Sequence, residues 1–227
     1  MVKFVANYIE HCTISKKNMD DFLVFDLETQ RSAQDVGGWG NIAEMKISVG
    51  VVWDSRKGRF FTYYEEKVTD LITHLKSGPL VVGFNHIGFD YVVLSGYYNP
   101  GAEREHALQG LTDIANLDLL VDLKERVGKR TSLNSLARAT LKKRKSADGM
   151  LALKWYKDYL NGDRGKLKKI ADYCRTDVEV TRDLYLYGKE NGKVYYIDKV
   201  RGVKKIEVDW NRQIDRQNGP RAVQLSF

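Results

Sequence analysis

Residues 22–29 have the sequence FLVFDLET, which combines an apolar run with two acidic residues. Its first part, Phe22–Asp26, is bulky and mostly apolar, which predicts a buried β-strand. Asp26 and Glu28 lie two residues apart, and residues at that spacing in a strand point to the same side. Two carboxylates on one side repel each other unless a cation or solvent lies between them, and oxygen ligands suit Mg²⁺ or Mn²⁺. The pair therefore predicts either a metal site or a solvated pair at a strand end.

The chain beyond this strand alternates between strand and helix patterns. Two β-rich runs, Lys46–Trp53 and Arg59–Tyr64, predict a hairpin, and the apolar run Pro79–Phe84 predicts a strand covered on both faces. Apolar residues recur at helical spacing in Val68–Leu75 and in the longer segment Leu167–Tyr187. This order of elements predicts an α/β fold in which helices flank a mixed sheet.

Further patterns extend the prediction towards the carboxyl terminus. Leu117–Val121 predicts one more short strand, and Ser132 is expected to cap a helix that follows it. Val194–Trp210 predicts a second hairpin with its turn at Arg201-Gly202, and the edge of such a hairpin can accept another chain. We expect a lead-in over residues 1–20, an α/β domain over residues 21–190, and a hairpin and tail over residues 191–227.

Composition argues against several classes of protein. The sequence of 227 residues is 43% hydrophobic and has no apolar run long enough to cross a membrane, so we expect no membrane attachment. Its amino terminus lacks a basic stretch followed by an apolar one. The two cysteines, Cys12 and Cys174, are too few for a disulfide framework. We therefore expect an intracellular, cytoplasmic protein.

The net charge of +7 is concentrated in one segment. Residues 124–169 contain 15 Lys and Arg residues against 4 Asp and Glu residues. Such a block indicates either a polyanionic partner, most simply nucleic acid, or a solvated helical surface. The candidates for phosphate contacts, which set affinity without reading the base sequence, are Lys142, Lys143, Arg144 and Lys145.

Two more acidic residues occupy positions that suit a metal site. Asp90 follows the loop after the predicted strand Pro79–Phe84, near the sheet edge where open α/β sheets bind ligands. Asp177 lies on the apolar stripe of the long predicted helix, one turn after Tyr173, and a carboxylate there needs a partner or a metal. The alternatives are a helix-start residue for Asp90 and a structural hydrogen bond between Tyr173 and Asp177.

Three motifs, taken in this order, resemble the exonuclease motifs of the DEDD superfamily, which comprises 3′–5′ exonucleases with a ribonuclease H-like fold. They are Phe25–Thr29 (FDLET), Asn85–Asp90 (NHIGFD) and Tyr173–Asp177 (YCRTD). The tyrosine (DEDDy) branch has Tyr four residues before the last Asp, as here. The histidine branch has His five residues before it, where this chain has Asp172. The chain is therefore similar to YprB-like nucleases and to the proofreading domains of family B polymerases.

The resemblance implies hydrolysis of phosphodiester bonds by a two-metal mechanism with Mg²⁺ or Mn²⁺. Asp26 would bridge both ions. Glu28 and Asp177 would bind the ion that activates water, and Asp90 would hold the second ion largely through water. Tyr173 would orient the attacking water, and nucleoside 5′-monophosphates would be released.

Candidate contacts to the substrate lie beside these motifs. Trp39 belongs to a glycine-rich loop after the first motif and either stacks on a terminal base or packs internally. Asn85 and Phe89 either contact the terminal nucleotide or fix the loop before Asp90. For His86 we expect a solvated surface position. The expected substrate is the 3′ end of single-stranded or frayed DNA or RNA.

Two alternatives from other classes stay open. One is a nucleic-acid-binding or structural module of a replication or helicase assembly, with a helicase or polymerase as its partner or as a fused domain. The other is a structure-specific endonuclease on the same fold. Substrates with blocked ends separate an exonuclease from an endonuclease, because only the latter cuts them.

Overall fold

A mixed sheet of five strands forms the centre of the computed structural model, which describes residues 21–143 and 149–211. The strands are β1 (Leu23–Thr29), β2 (Ile47–Asp54), β3 (Arg59–Tyr64), β4 (Val81–Gly83) and β5 (Asn116–Asp118). Their order across the sheet is β3-β2-β1-β4-β5. β2 is antiparallel to β1 and β3, whereas β1, β4 and β5 are parallel. The carboxyl ends of β1, β4 and β5 therefore meet at one edge of the sheet.

Helices cover both faces of this sheet. They are α1 (Val68–Lys76), α2 (Asp90–Ser95), α3 (Ala102–Thr112), α4 (Leu119–Val127), α5 (Leu133–Leu136), α6 (Gly149–Leu160) and α7 (Gly165–Asn191). Short 3₁₀ helices span Trp39–Glu44 and Glu65–Lys67, and a π-helical turn, Ala137–Leu141, extends α5. In the part of the chain that the structure describes, none of the helices is long and apolar enough to cross a membrane.

The alternation of side chains along β1 explains why both faces are covered. Phe25 and Leu27 point into one apolar core together with residues of α1 and α2, whereas Val24 points into a second core beneath α7. Asp26 and Glu28 continue the side of Val24, because residues two apart in a strand share a face. Both acids therefore project towards α7.

The structure confirms the predicted α/β class, and it corrects the assignment of Leu117–Val121. That segment is not one strand: β5 ends at Asp118, and α4 begins at the next residue. The Asp118 carboxylate accepts hydrogen bonds from the backbone N–H groups of Leu120 and Val121, which caps the helix. Helix α3 has no counterpart among the predicted elements. The predicted lead-in over residues 1–20 lies outside the described residues, as does the tail after residue 211.

The predicted second hairpin is also present, as β6 (Lys193–Asp198) and β7 (Gly202–Glu207). One of its faces packs into the core beneath α7, so only part of it is exposed. Ile206, Val208 and Trp210, which alternate along the chain, are buried. The Trp210 ring fits against Gly188 of α7 so closely that a Cβ atom at Gly188 would lie 2.3 Å from the ring. Glycine at that position allows the hairpin to dock on the helix.

Candidate active site

Three carboxylates meet where the end of β1 faces α7. Asp26 and Glu28 from β1 and Asp177 from α7 each offer one oxygen, and these oxygens all lie within 4.8 Å of one another. Asp177 is buried, and the other two are half-buried. Hard oxygen ligands gathered in this way fit Mg²⁺ or Mn²⁺, because a divalent cation neutralises their mutual repulsion. The structure thus brings together three of the four acids that the sequence predicts.

A β-bulge lies beside Glu28. Glu28 pairs with Val49 of β2, but Thr29 pairs with Ile47, so Ser48 is an extra residue in β2. The Ser48 hydroxyl donates a hydrogen bond of 3.0 Å to the carbonyl oxygen of Glu28. Bulges bend a strand and increase its local twist. This one sets the direction of the backbone at the point where β1 presents its second acid.

Asp90, the fourth predicted acid, is the first residue of α2 and is fully covered by the protein. Its Oδ1 atom accepts a hydrogen bond of 3.0 Å from the backbone N–H of Leu27. Burial raises the pKa of Asp90 well above its ordinary value, and the negative charge of Asp26 raises it further. Asp90 therefore stands next to the three-carboxylate cluster and is electrostatically linked to it through Asp26.

Cys174 fills the space beneath these acids. Its thiol lies 3.3 Å from the backbone oxygen of Asp26 and 3.6 Å from Asp26 Oδ2. Burial raises the pKa of this thiol well above its ordinary value, and the neighbouring acids, Asp26 foremost, add to the effect. The thiol therefore stays protonated and donates to Asp26. The side chain of Cys174 is completely buried in the core beneath α7.

Tyr173 lies on α7 one turn before Asp177 and is buried. Its ring meets the ring of Trp155 from α6 edge to face, with centroids 6.1 Å apart and an interplanar angle of 78°. Sequence reasoning missed Trp155, because only the turn between α6 and α7 brings it to Tyr173. The pair of rings fixes the Tyr173 side chain on the face of α7 that carries Asp177.

Asp118, which sequence reasoning also missed, holds the loop that leads to Asp90. Its carboxylate accepts hydrogen bonds from the backbone N–H groups of Asn85 at 2.8 Å and Ile87 at 3.1 Å. Asn85 has a φ of 71°, a left-handed conformation that Asn tolerates better than most residues. An acid directly before an apolar pair is a helix-capping signal, and that signal could have identified Asp118.

His86, which was expected on the solvated surface, is instead completely buried. Its Nε2 atom lies 3.1 Å from the Asn116 side-chain oxygen. Burial lowers the pKa of His86, so the ring is neutral at pH 7. The imidazole occupies the space above Gly83, where a Cβ atom would lie 2.7 Å from the ring. His86 therefore packs the loop onto β4 and does not face solvent.

Two of the predicted substrate contacts lie next to each other. The Trp39 side chain is 66% exposed, and its ring centroid lies 6.4 Å from that of Phe89. Phe89 directly precedes Asp90, so one of the two rings is next in sequence to the fourth acid. An exposed indole next to a half-buried phenyl ring offers a surface on which a base can stack.

The predicted phosphate-binding run is described only in part, because Arg144 and Lys145 lie outside the described residues. Lys142 and Lys143 are exposed at the end of the π-helical turn. The Lys142 ammonium donates to the backbone oxygen of Ala139 at 3.1 Å. The Lys143 ammonium pairs with Asp183 of α7 at 2.6 Å. A phosphate would have to compete with these protein partners.

Comparison with known proteins places this architecture in a family. The family model described as the RNase_H superfamily matches residues 23–187. Among solved structures, the family B DNA polymerase from the hyperthermophilic archaeon Pyrobaculum calidifontis superimposes with a TM-score of 0.52, at 20% identity over 75% of this chain. The chain spans 25% of that polymerase chain, and the similarity at this identity shows a shared fold. No curated protein matches the sequence.

The raised pKa of Asp90 predicts a pH-dependent effect of Asp90→Asn. In the unfolded chain the carboxyl titrates near 3.8. Above that pH the folded protein keeps a proton that the unfolded chain loses, so the wild type loses stability as the pH rises. Asparagine removes this penalty and keeps an oxygen for the Leu27 N–H. In EDTA, the stability of the variant relative to wild type should therefore increase as the pH rises above about 4.

Urea denaturation followed by circular dichroism at several pH values measures this difference. Asp113→Asn serves as the control, because Asp113 is an exposed acid at the end of α3. It reports the effect of removing one surface carboxylate. A stability difference for Asp90→Asn that is the same at every pH would contradict a strained, buried carboxyl group.

Proposed function

The chain belongs to the ribonuclease H superfamily, and we propose that it is a metal-dependent 3′–5′ exonuclease. Its substrates are the 3′ ends of single-stranded or frayed DNA or RNA, and its products are nucleoside 5′-monophosphates. One observation carries the proposal: the oxygens of Asp26, Glu28 and Asp177 meet within 4.8 Å of one another. Asp90 stands beside them, and Tyr173 lies one turn from Asp177, which is the arrangement that the DEDDy resemblance implies.

The four acids are the residues that would hold divalent cations, Mg²⁺ or Mn²⁺. When bound, two such ions stabilise the charge on the attacking and leaving oxygens of an in-line displacement at phosphorus. The acids come from β1, the start of α2 and α7, so three elements fix their positions. Cys174 keeps a neutral thiol beneath them and leaves the carboxylates as the ligands.

Tyr173 is the group that we assign to the attacking water. A phenol has an ordinary pKa of about 10, so at neutral pH its hydroxyl orients water by hydrogen bonding and does not act as a base. Burial and the edge-to-face contact with Trp155 restrict the ring to one position. A restricted hydroxyl contributes to catalysis by orientation, because no side-chain entropy is lost when the water binds.

Trp39 and Phe89 would hold the terminal base. Stacking of a base on an aromatic side chain is worth about 1–3 kcal/mol and depends little on base identity. This agrees with an enzyme that removes every nucleotide in turn. Lys142 and Lys143, with the adjoining Arg144 and Lys145, would contact phosphates farther along the strand, which adds affinity without sequence preference.

Polarity of degradation is the most direct test of the proposed activity. A single strand labelled at its 5′ end should give a ladder of products that shortens one nucleotide at a time. The same strand labelled at its 3′ end should release a labelled mononucleotide at once. A 3′-blocked strand and a circular strand should persist, and EDTA should abolish all cleavage. Cleavage of circles would indicate an endonuclease, and binding without cleavage would indicate a binding module.

Tyr173→Phe tests the role of the hydroxyl alone. We expect a lower rate of the chemical step with nearly unchanged affinity for metal and oligonucleotide, because the ring and its contact with Trp155 remain. Loss of an orienting group of this kind costs on the order of 10²-fold in rate. Single-turnover kinetics with excess enzyme measure the chemical step separately from binding.

Tyr187→Phe provides the matched control, because it removes a hydroxyl from the same helix more than three turns beyond Tyr173. This control should retain the wild-type rate. If both variants hydrolyse as fast as the wild type, Tyr173 is a packing residue, and the assignment to the tyrosine branch loses its support.

A further inference from the structure

One lysine shares a face of α7 with the proposed catalytic residues. Lys169, Tyr173 and Asp177 follow one another at intervals of four residues. Each interval is about one helical turn, or about 6 Å along the axis. Lys169 is exposed, whereas the other two residues are buried. The helix therefore leads from the carboxylate cluster, through the tyrosine, to a positive charge at the surface.

Trp155 connects this lysine to Tyr173. The Lys169 ammonium lies 4.4 Å from the centroid of the Trp155 ring, in a cation–π contact. The same ring meets Tyr173 edge to face. An ammonium that rests on an indole face is held in place, but it keeps its hydrogen-bond donors free for an anion, because the ring offers no lone pair to compete for them. Trp155 thus directs the charge towards the side of α7 that carries the site.

The preceding lysine has a different environment. The Lys168 ammonium forms an ion pair of 2.7 Å with Asp172, and both side chains are largely exposed. Among the described residues, no carboxylate lies within salt-bridge distance of the Lys169 ammonium. The two neighbouring lysines therefore differ. The charge of Lys168 is neutralised by Asp172 of the same helix, whereas the charge of Lys169 is not.

A cation at this place has an electrostatic use. The carboxylate cluster repels a polyanionic strand, and that repulsion acts on every phosphate near the site. A positive charge about two turns along α7 from Asp177 is too far away to reach the scissile phosphate. It can attract another phosphate of the same strand. Lysine suits this role, because it binds phosphate as a point charge from any direction.

We propose that Lys169, held over Trp155, binds a backbone phosphate of the strand whose 3′ end lies at the carboxylates. The proposal rests on the proposed function, because it takes a single-stranded nucleic acid as the ligand. Lys169 is a binding residue. It strengthens the binding of the strand on the side of the site where α6 and α7 lie. Its contribution to the binding free energy is the same in the ground state and in the transition state.

Lys169→Gln and Lys168→Gln form a matched pair that tests this proposal. Both variants remove one positive charge from adjacent exposed positions of α7, so the net charge of the protein is the same in both. The binding of a fluorescently labelled single-stranded oligonucleotide is followed by anisotropy, with Ca²⁺ replacing Mg²⁺ to prevent hydrolysis, at several salt concentrations. The slope of log affinity against log salt counts the phosphate contacts.

The Lys169→Gln variant should bind about three- to fivefold more weakly, as expected for one partly exposed ion pair. Its salt slope should be shallower by about 0.7, the value for one contact on a single strand. Lys168→Gln should keep the wild-type slope. Lys169→Arg, which keeps the charge and can stack on the indole, should keep it too. With Mg²⁺, Lys169→Gln should raise KM and leave kcat nearly unchanged.

Equal slopes for Lys169→Gln and Lys168→Gln would overturn the proposal, whether both match the wild type or both are shallower. The second result would show that only the overall charge of the helix matters. These outcomes leave the proposed function intact if the wild type still degrades the strand from its 3′ end. A wild-type protein that neither binds nor cleaves the strand would overturn the proposed function together with this proposal.

Discussion

The packing of α7 against β1 determines the geometry of the candidate site. It places Asp177 opposite Asp26 and Glu28, with their oxygens within 4.8 Å of one another. Like charges at this separation destabilise a fold unless a cation neutralises them or a group takes up a proton. The apolar core beneath α7, which includes Val24 and Cys174, supplies the packing that offsets this repulsion. A divalent cation bound by these carboxylates would therefore stabilise the fold.

At the carboxyl edge of the sheet, side-chain carboxylates accept hydrogen bonds from backbone N–H groups that extend past the neighbouring strand. β4 pairs with β1 only as far as Val24, so the Leu27 N–H extends beyond the end of the neighbouring strand. Asp90 accepts that N–H, and Asp118 accepts those of the loop between β4 and α2. Both side chains are short and buried, and each is fixed by backbone donors. The position of the fourth acid thus follows from the geometry of the sheet itself.

Local spacing is sufficient to predict the acids that share one element. Asp26 and Glu28 share a face if their segment forms a strand, and Tyr173 lies one turn from Asp177 if their segment forms a helix. No comparable spacing rule predicts contacts between segments that are distant in sequence. The residues around Asp118 suit a strand as well as a capped helix, and the decision comes from the loop whose N–H groups it accepts. His86 is buried because that same loop folds back onto β4, which its own sequence does not indicate.

We propose that the carboxylates of β1 and α7 form one divalent-cation site. Titration of Mn²⁺ into the folded protein by calorimetry tests this most directly, with Asp26→Asn as the variant and Asp113→Asn as the control. Asparagine keeps the size of the side chain and removes its charge. We expect Asp26→Asn to lose most of its Mn²⁺ affinity, while the control binds like the wild type. Unchanged Mn²⁺ affinity in a folded Asp26→Asn protein would rule out a cation site at these carboxylates.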